Sequence, residues 1–140
     1  MTLTHAEQFA LYLQNGYDVV AVKLHADSMA VGHVVQIAAL TGITSAPSDS
    51  DEVGIFGVLL DAGDTGDIVS CRIAGNCKAM TGDTSAIGSF VVPMADYMLN
   101  AQAVIALDGD AEDISPKPAF AKLLELGVAG ELKLIKIVSQ

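Results

Sequence analysis

A passage of twelve residues occurs twice in this chain. Phe56-Gly57-Val58-Leu59-Leu60-Asp61-Ala62-Gly63-Asp64-Thr65-Gly66-Asp67 returns 64 positions later as Phe120-Ala121-Lys122-Leu123-Leu124-Glu125-Leu126-Gly127-Val128-Ala129-Gly130-Glu131. Phe, the Leu-Leu pair and two Gly recur in register, and two acids are matched by acids. A shorter echo precedes each copy: Ala30-Val31-Gly32-His33-Val34-Val35 against Ala86-Ile87-Gly88-Ser89-Phe90-Val91. Each long copy runs on into an apolar stretch near Ile73 or Ile137. The unit reads strand, loop, strand, turn, strand, twice over. Tight reversals between strands need a positive φ, which Gly supplies without steric cost. The acid after each final Gly either bonds turn N–H groups or is simply solvated.

Composition agrees with a β fold. Hydrophobic residues make up 51%, but aromatics only 5%, and Trp is absent. The core is therefore built from Val, Ile, Leu and Ala, and 13 Gly favour a turn-rich architecture. The expectation is a mainly β fold: a small β-barrel or β-sandwich with internal duplication, plus a short N-terminal helix. Residues 1–16 form a helical arm, and 17–140 one β-rich domain of two related halves, about 30–73 and 86–137.

The helix is signalled by Thr4 with Glu7 three residues on, a capping box. Phe9, Ala10 and Leu13 follow on one face, and Gly16 ends it. This face either packs on a neighbouring molecule or covers the chain's own β body. Strands are expected at Asp18–Leu24, Val34–Leu40, Gly54–Leu60, Asp67–Ile73, Cys77–Met80, Phe90–Val92, Ala119–Glu125 and Glu131–Val138. Within Asp67–Ile73, Val69, Cys71 and Ile73 alternate with Ser70 and Arg72. Thr41–Glu52 and Asp108–Pro118 read as exposed loops. Met94–Ala106 is ambiguous: Met94, Tyr97, Met98 and Ala101 are spaced for a helical turn or two, while Val104–Leu107 suits a strand.

The charge, −10 from 7 basic and 17 acidic side chains, disfavours nucleic acid and anionic membrane as partners. Mean hydropathy is +0.47, yet no apolar run reaches the ~20 residues of a membrane helix. The first residues lack the basic start and long apolar stretch of a signal peptide, so synthesis in a cytoplasm is expected. The apolar excess is consistent with surface buried against a partner.

Reactive constellations are scarce. Cys71 and Cys77 flank Gly75-Asn76, where a tight turn would bring them together; a disulfide is conceivable, and a reduced pair suits a cytoplasm. His25 and His33 lie across an expected turn, near Asp27, but no H-x-H or H-E-x-x-H spacing occurs, and ordinary surface histidines are the default. Ser48-Asp49-Ser50-Asp51-Glu52 and Asp108-Gly109-Asp110-Ala111-Glu112-Asp113 lack the ligand order of an EF-hand loop and read as solvated acids. No nucleophile elbow and no phosphate loop is present. The expectation is no catalytic residue, no metal and no cofactor: a scaffold or interaction protein.

The same residues carry a family resemblance. Val31-Gly32-His33-Val34-Val35, then Gly57 through Val69 continuing to Gly75, then Gly127–Val138, is similar to the strand-and-turn pattern of bacteriophage capsid cement proteins, also called head decoration proteins. The likeness spans roughly residues 18–138. The helix is longer than that family's pattern, and Met94–Leu107 reads as an insertion. The resemblance implies a small β-barrel or sandwich, commonly trimeric, on the outer capsid at threefold or quasi-threefold positions. There it would bind the major capsid protein and reinforce the head against DNA pressure, without chemistry. Candidate contact residues are Phe9 and Leu13 on the helix, the loop Thr41–Glu52, and Met94, Tyr97 and Met98, since Met and Tyr suit interfaces. The alternative is another structural virion protein, of the tail or of head completion, or a β-rich oligomeric binding module.

Overall fold

The structure is a computed structural model and describes residues 3–14, 16–38, 40–48, 54–102 and 119–138. These residues hold one helix, α1 (His5–Gln14), and ten strands: β1 (Val19–Lys23), β2 (Val34–Ile37), β3 (Thr44–Ser45), β4 (Ile55–Leu59), β5 (Ile68–Arg72), β6 (Gly75–Thr81), β7 (Phe90–Pro93), β8 (Leu99–Ala101), β9 (Ala121–Leu123) and β10 (Glu131–Ile137). The mainly β, duplicated fold with a short N-terminal helix is what the composition and the repeat predict.

The duplication takes in five strands per copy. The first sheet runs β1-β5-β4-β2-β3, and the second is a closed barrel, β10-β6-β8-β7-β9. Starting the second at β6 gives β6-β10-β9-β7-β8, the same order. A parallel Thr81↔Leu99 pairing closes it. In the first sheet an isolated parallel bridge pairs Lys23, in β1, with Ile43, the residue before β3. Only the second sheet is a closed barrel by its strand pairing; for their shared strand order the two are called the first and the second barrel.

Turn bonds repeat with the strands. Met29 and Gly63 exchange N–H···O bonds, as do Ser85 and Gly127. Gly32 donates to the Leu59 carbonyl, and Gly88 to that of Leu123. Gly66 and Gly130 both hold positive φ, at 88° and 81°. The paired acids are explained too. Asp61 accepts the Ser70 N–H at 3.1 Å, and Glu125 accepts the Leu134 N–H at 2.7 Å. Each carboxylate occupies a backbone donor that the hairpin leaves open, a charge-assisted bond stronger than a neutral one. After the final Gly, Asp67 accepts the Asp64 N–H at 2.8 Å, whereas Glu131 pairs with Lys133.

Helix α1 has the expected capping box. The Glu7 N–H donates to Thr4 Oγ1 at 3.2 Å, and Glu7 Oε1 accepts from the Thr4 hydroxyl at 3.0 Å. His5 Nε2 lies 3.0 Å from the Ala21 carbonyl oxygen. Phe9 is fully buried in the first core with Val20, Val22, Leu24, Val35, Ile37, Leu59 and Cys71. The helix therefore covers its own barrel, and Phe9 has no surface left to offer a partner. Leu13 lies within α1, but its side chain is outside those described.

Several sequence expectations change. Met94–Met98 is not helical. It is the reversal between β7 and β8, with the Met94 N–H bonded to the Met98 carbonyl and Tyr97 at φ +65°. Helical spacing of apolar residues also fits a hairpin that packs one side inward, and pairing with β7 decided the outcome. Within Thr41–Glu52 a short strand, β3, buries Thr44. Gly75-Asn76 is not a turn but the start of β6, which pairs along its length with β10. The two acidic runs and the expected strand Val104–Leu107 fall outside the described residues, apart from Ser48.

Candidate interaction surface

The two barrels meet along the outer face of the first. Val34, Val58 and Arg72 stand in one row across β2, β4 and β5. Val34 and Val58 are fully buried, and they belong to the core of the second barrel, with Ala79, Val91, Leu99, Phe120 and Ile135. The contact is stitched by backbone: the Met80 N–H donates to Gly32 O, and the Val34 N–H to Tyr97 O, both at 2.9 Å. The apolar alternation of β2 and β4 serves both cores at once, one on each face.

Tyr97 reaches back over this junction. Its hydroxyl is 3.0 Å from His25 Nε2, whose Nδ1 is 2.7 Å from Thr44 Oγ1. His33 stacks on the Tyr97 ring, with centroids 5.4 Å apart. His33 Nδ1 accepts the Ala30 N–H at 3.1 Å, which fixes this nitrogen as unprotonated. Partial burial lowers the pKa of both histidines. They are thus junction residues rather than the surface histidines that the sequence suggests. Nothing in their spacing signals this, because Tyr97 comes from 72 residues beyond His25. Tyr97 occupies the left-handed position that Gly42 takes in the first barrel, at φ +67°. A left-handed non-Gly residue costs on the order of 1–3 kcal/mol and persists only where its surroundings over-determine it. Tyr97, with Met94 and Met98 half-buried beside it, is therefore a joint within the chain first, and only its exposed edge remains for a partner.

The row equivalent to Val34, Val58 and Arg72 in the second barrel is Phe90, Lys122 and Lys136, across β7, β9 and β10. All three are exposed. The Lys122 ammonium lies 5.8 Å from the Phe90 ring centroid. Ile87, Leu124 and Leu126 flank the row, and Ile87 is 68% exposed. Lys78 and Leu134 are paired on the same outer face. Alternation in β9, with Ala121 and Leu123 buried about an exposed Lys122, marks these positions as outward, but sequence alone does not show that their first-barrel counterparts are covered.

Chemistry is thin among the described residues. No group of three His, Cys, Asp or Glu could hold a metal. Both cysteines are free thiols. Burial pushes the Cys71 thiol well above its ordinary range, and Cys77 adds to this; burial also raises Cys77, to about 11. No helix is long and apolar enough to cross a membrane.

No family model matches the chain, and no curated protein does. Among solved structures it is similar to the N base of head fiber gp8.5 in bacteriophage phi29. The TM-score is 0.59 at 12% identity, over 86% of this chain and 92% of the other. The likeness therefore takes in most of both chains and establishes a shared fold.

Proposed function

We propose that this chain is a structural protein of a phage head: a cement, or decoration, protein that binds the outer capsid surface as a trimer and bridges capsid subunits. The observation that carries the reading is the fold it shares, over most of its length, with the base of a phage head fiber. The strand-and-turn pattern similar to capsid cement proteins supports it independently. Its partners are the major capsid protein and further copies of itself, and it works without catalysis or cofactor. Strength in such a clamp comes from many copies, each adding buried apolar area. A second reading, another virion component such as the anchoring base of a fiber, is favoured by the same structural likeness.

The test is co-sedimentation of the purified chain with mature heads that lack it. Saturable uptake, together with a higher temperature of head disruption, is expected. A chain that stays in the supernatant with both mature and immature heads refutes the proposal.

A further inference from the structure

The duplication supplies an internal comparison of two equivalent faces. In the first barrel, Val34 and Val58 of the row Val34–Val58–Arg72 are buried in the core of the second barrel, and Arg72 is half-buried. In the second barrel the matching row Phe90–Lys122–Lys136 has no cover within the described chain and is exposed. It retains apolar flanks in Ile87 and Leu124. Three of the chain's seven basic residues, Lys78, Lys122 and Lys136, stand on this outer face, and the strands β6, β7 and β9 contribute no acid to it.

The first barrel carries the opposite charge. Its β4–β5 turn gathers Asp61, Asp64 and Asp67, with Asp27 held against the same turn by the Thr65 N–H at 3.0 Å. All four are exposed, and the neighbouring Ile68 is 57% exposed. The hydrogen bonds from Thr65 hold Asp27 below the usual carboxylate range, so this end stays anionic.

We infer that the outer face of the second barrel docks the acidic β4–β5 end of the first barrel in a second copy of this chain. The inference rests on the proposed trimer and assigns its contact faces. Two copies facing each other through Lys122 and Lys136 would set like charges together, which disfavours a twofold dimer. A basic face on an acidic end is heterologous, the kind of contact that forms a ring such as a trimer when its rotation closes. The arrangement extends the contact already present within the chain, where the second barrel buries Val34 and Val58 of the corresponding row.

Sedimentation velocity of the full chain, from low to high micromolar, tests this. The wild type should be trimeric. The double variant Lys122→Glu/Lys136→Glu should remain folded by circular dichroism and dissociate at a concentration about tenfold or more higher. Ala62→Lys, an exposed change beside Asp61 that leaves the turn carboxylates intact, should weaken the wild type in the same direction but less. Combining all three substitutions should recover only part of the lost association, because the end keeps a net negative charge. A monomeric wild type, or a double variant that assembles as the wild type does, overturns the inference. So does a monomeric wild type that binds heads through this face, which would make it a capsid contact while leaving the virion reading standing. Heads that reject a trimeric wild type would instead sink the proposed function and leave the interface intact.

Discussion

Gly32 and Gly88 occupy equivalent turns, and the repeat makes each a control for the other. Their φ values are +90° and +88°, so alanine meets the same backbone penalty at both, on the order of 1–3 kcal/mol. Their surroundings differ. A Cβ on Gly32 would come 2.1 Å from Leu132 Cδ2 and 3.4 Å from the Met80 nitrogen, whose N–H already bonds Gly32 O. On Gly88 the nearest atom would be Lys122 Cε at 3.8 Å, an ordinary contact. Leu132 is partly exposed and can turn its methyl away, so the added overpacking falls in the lower part of the usual range, about 1–2 kcal/mol. Gly32→Ala should therefore cost about 1–2 kcal/mol more than Gly88→Ala in urea unfolding, with a correspondingly larger fall in Tm of roughly 3–8 °C. Equal losses, or a larger loss at Gly88, would refute the claim that the barrels interlock through Gly32.

Phe9→Ala should empty a fully buried site in the first core and cost about 3–5 kcal/mol, read as a lowered urea midpoint; a near-neutral result would return α1 to the role of a detachable arm. Stability should also fall as the solution is acidified below the ordinary histidine range. His25 and His33 have depressed folded pKa values, so between the folded and unfolded pKa the unfolded chain binds more protons. Their contribution is complete above about pH 6.5 and is lost as pH falls through the folded values, so substituting both by Gln should flatten the Tm profile between pH 7 and 5. The raised thiol pKa values predict slow labelling at pH 8, with Cys71 reacting only at the rate of unfolding while Cys77 reacts sooner; rapid, equal labelling of both would contradict the burial.

The duplicated body was legible because turns impose local chemistry. Positive-φ Gly and donor-accepting acids must recur wherever the same hairpin recurs, and both survive in the sequence. The first strand of each unit was not legible as a repeat. Val19–Lys23 and Gly75–Thr81 share pairing geometry, not residue identity, since β-strands accept many side chains in one register. Strands β3 and β8 are too short to carry a period. Phe9 shows a different limit: an amphipathic helix declares an apolar face without saying whose core receives it. The exposed row at Phe90, Lys122 and Lys136 was hidden for a related reason. Its sequence alternates as an ordinary half-buried strand does, and only comparison with the covered row in the first barrel marks it as unpartnered.

The central claim is residence on a phage head, and counting this chain in purified particles tests it most directly. Quantitative mass spectrometry against the major capsid protein should give a stoichiometric ratio, lost when the outer surface is stripped. A few copies per particle would place the chain at a tail or a single vertex. Its absence from the particle would contradict the assignment to the virion.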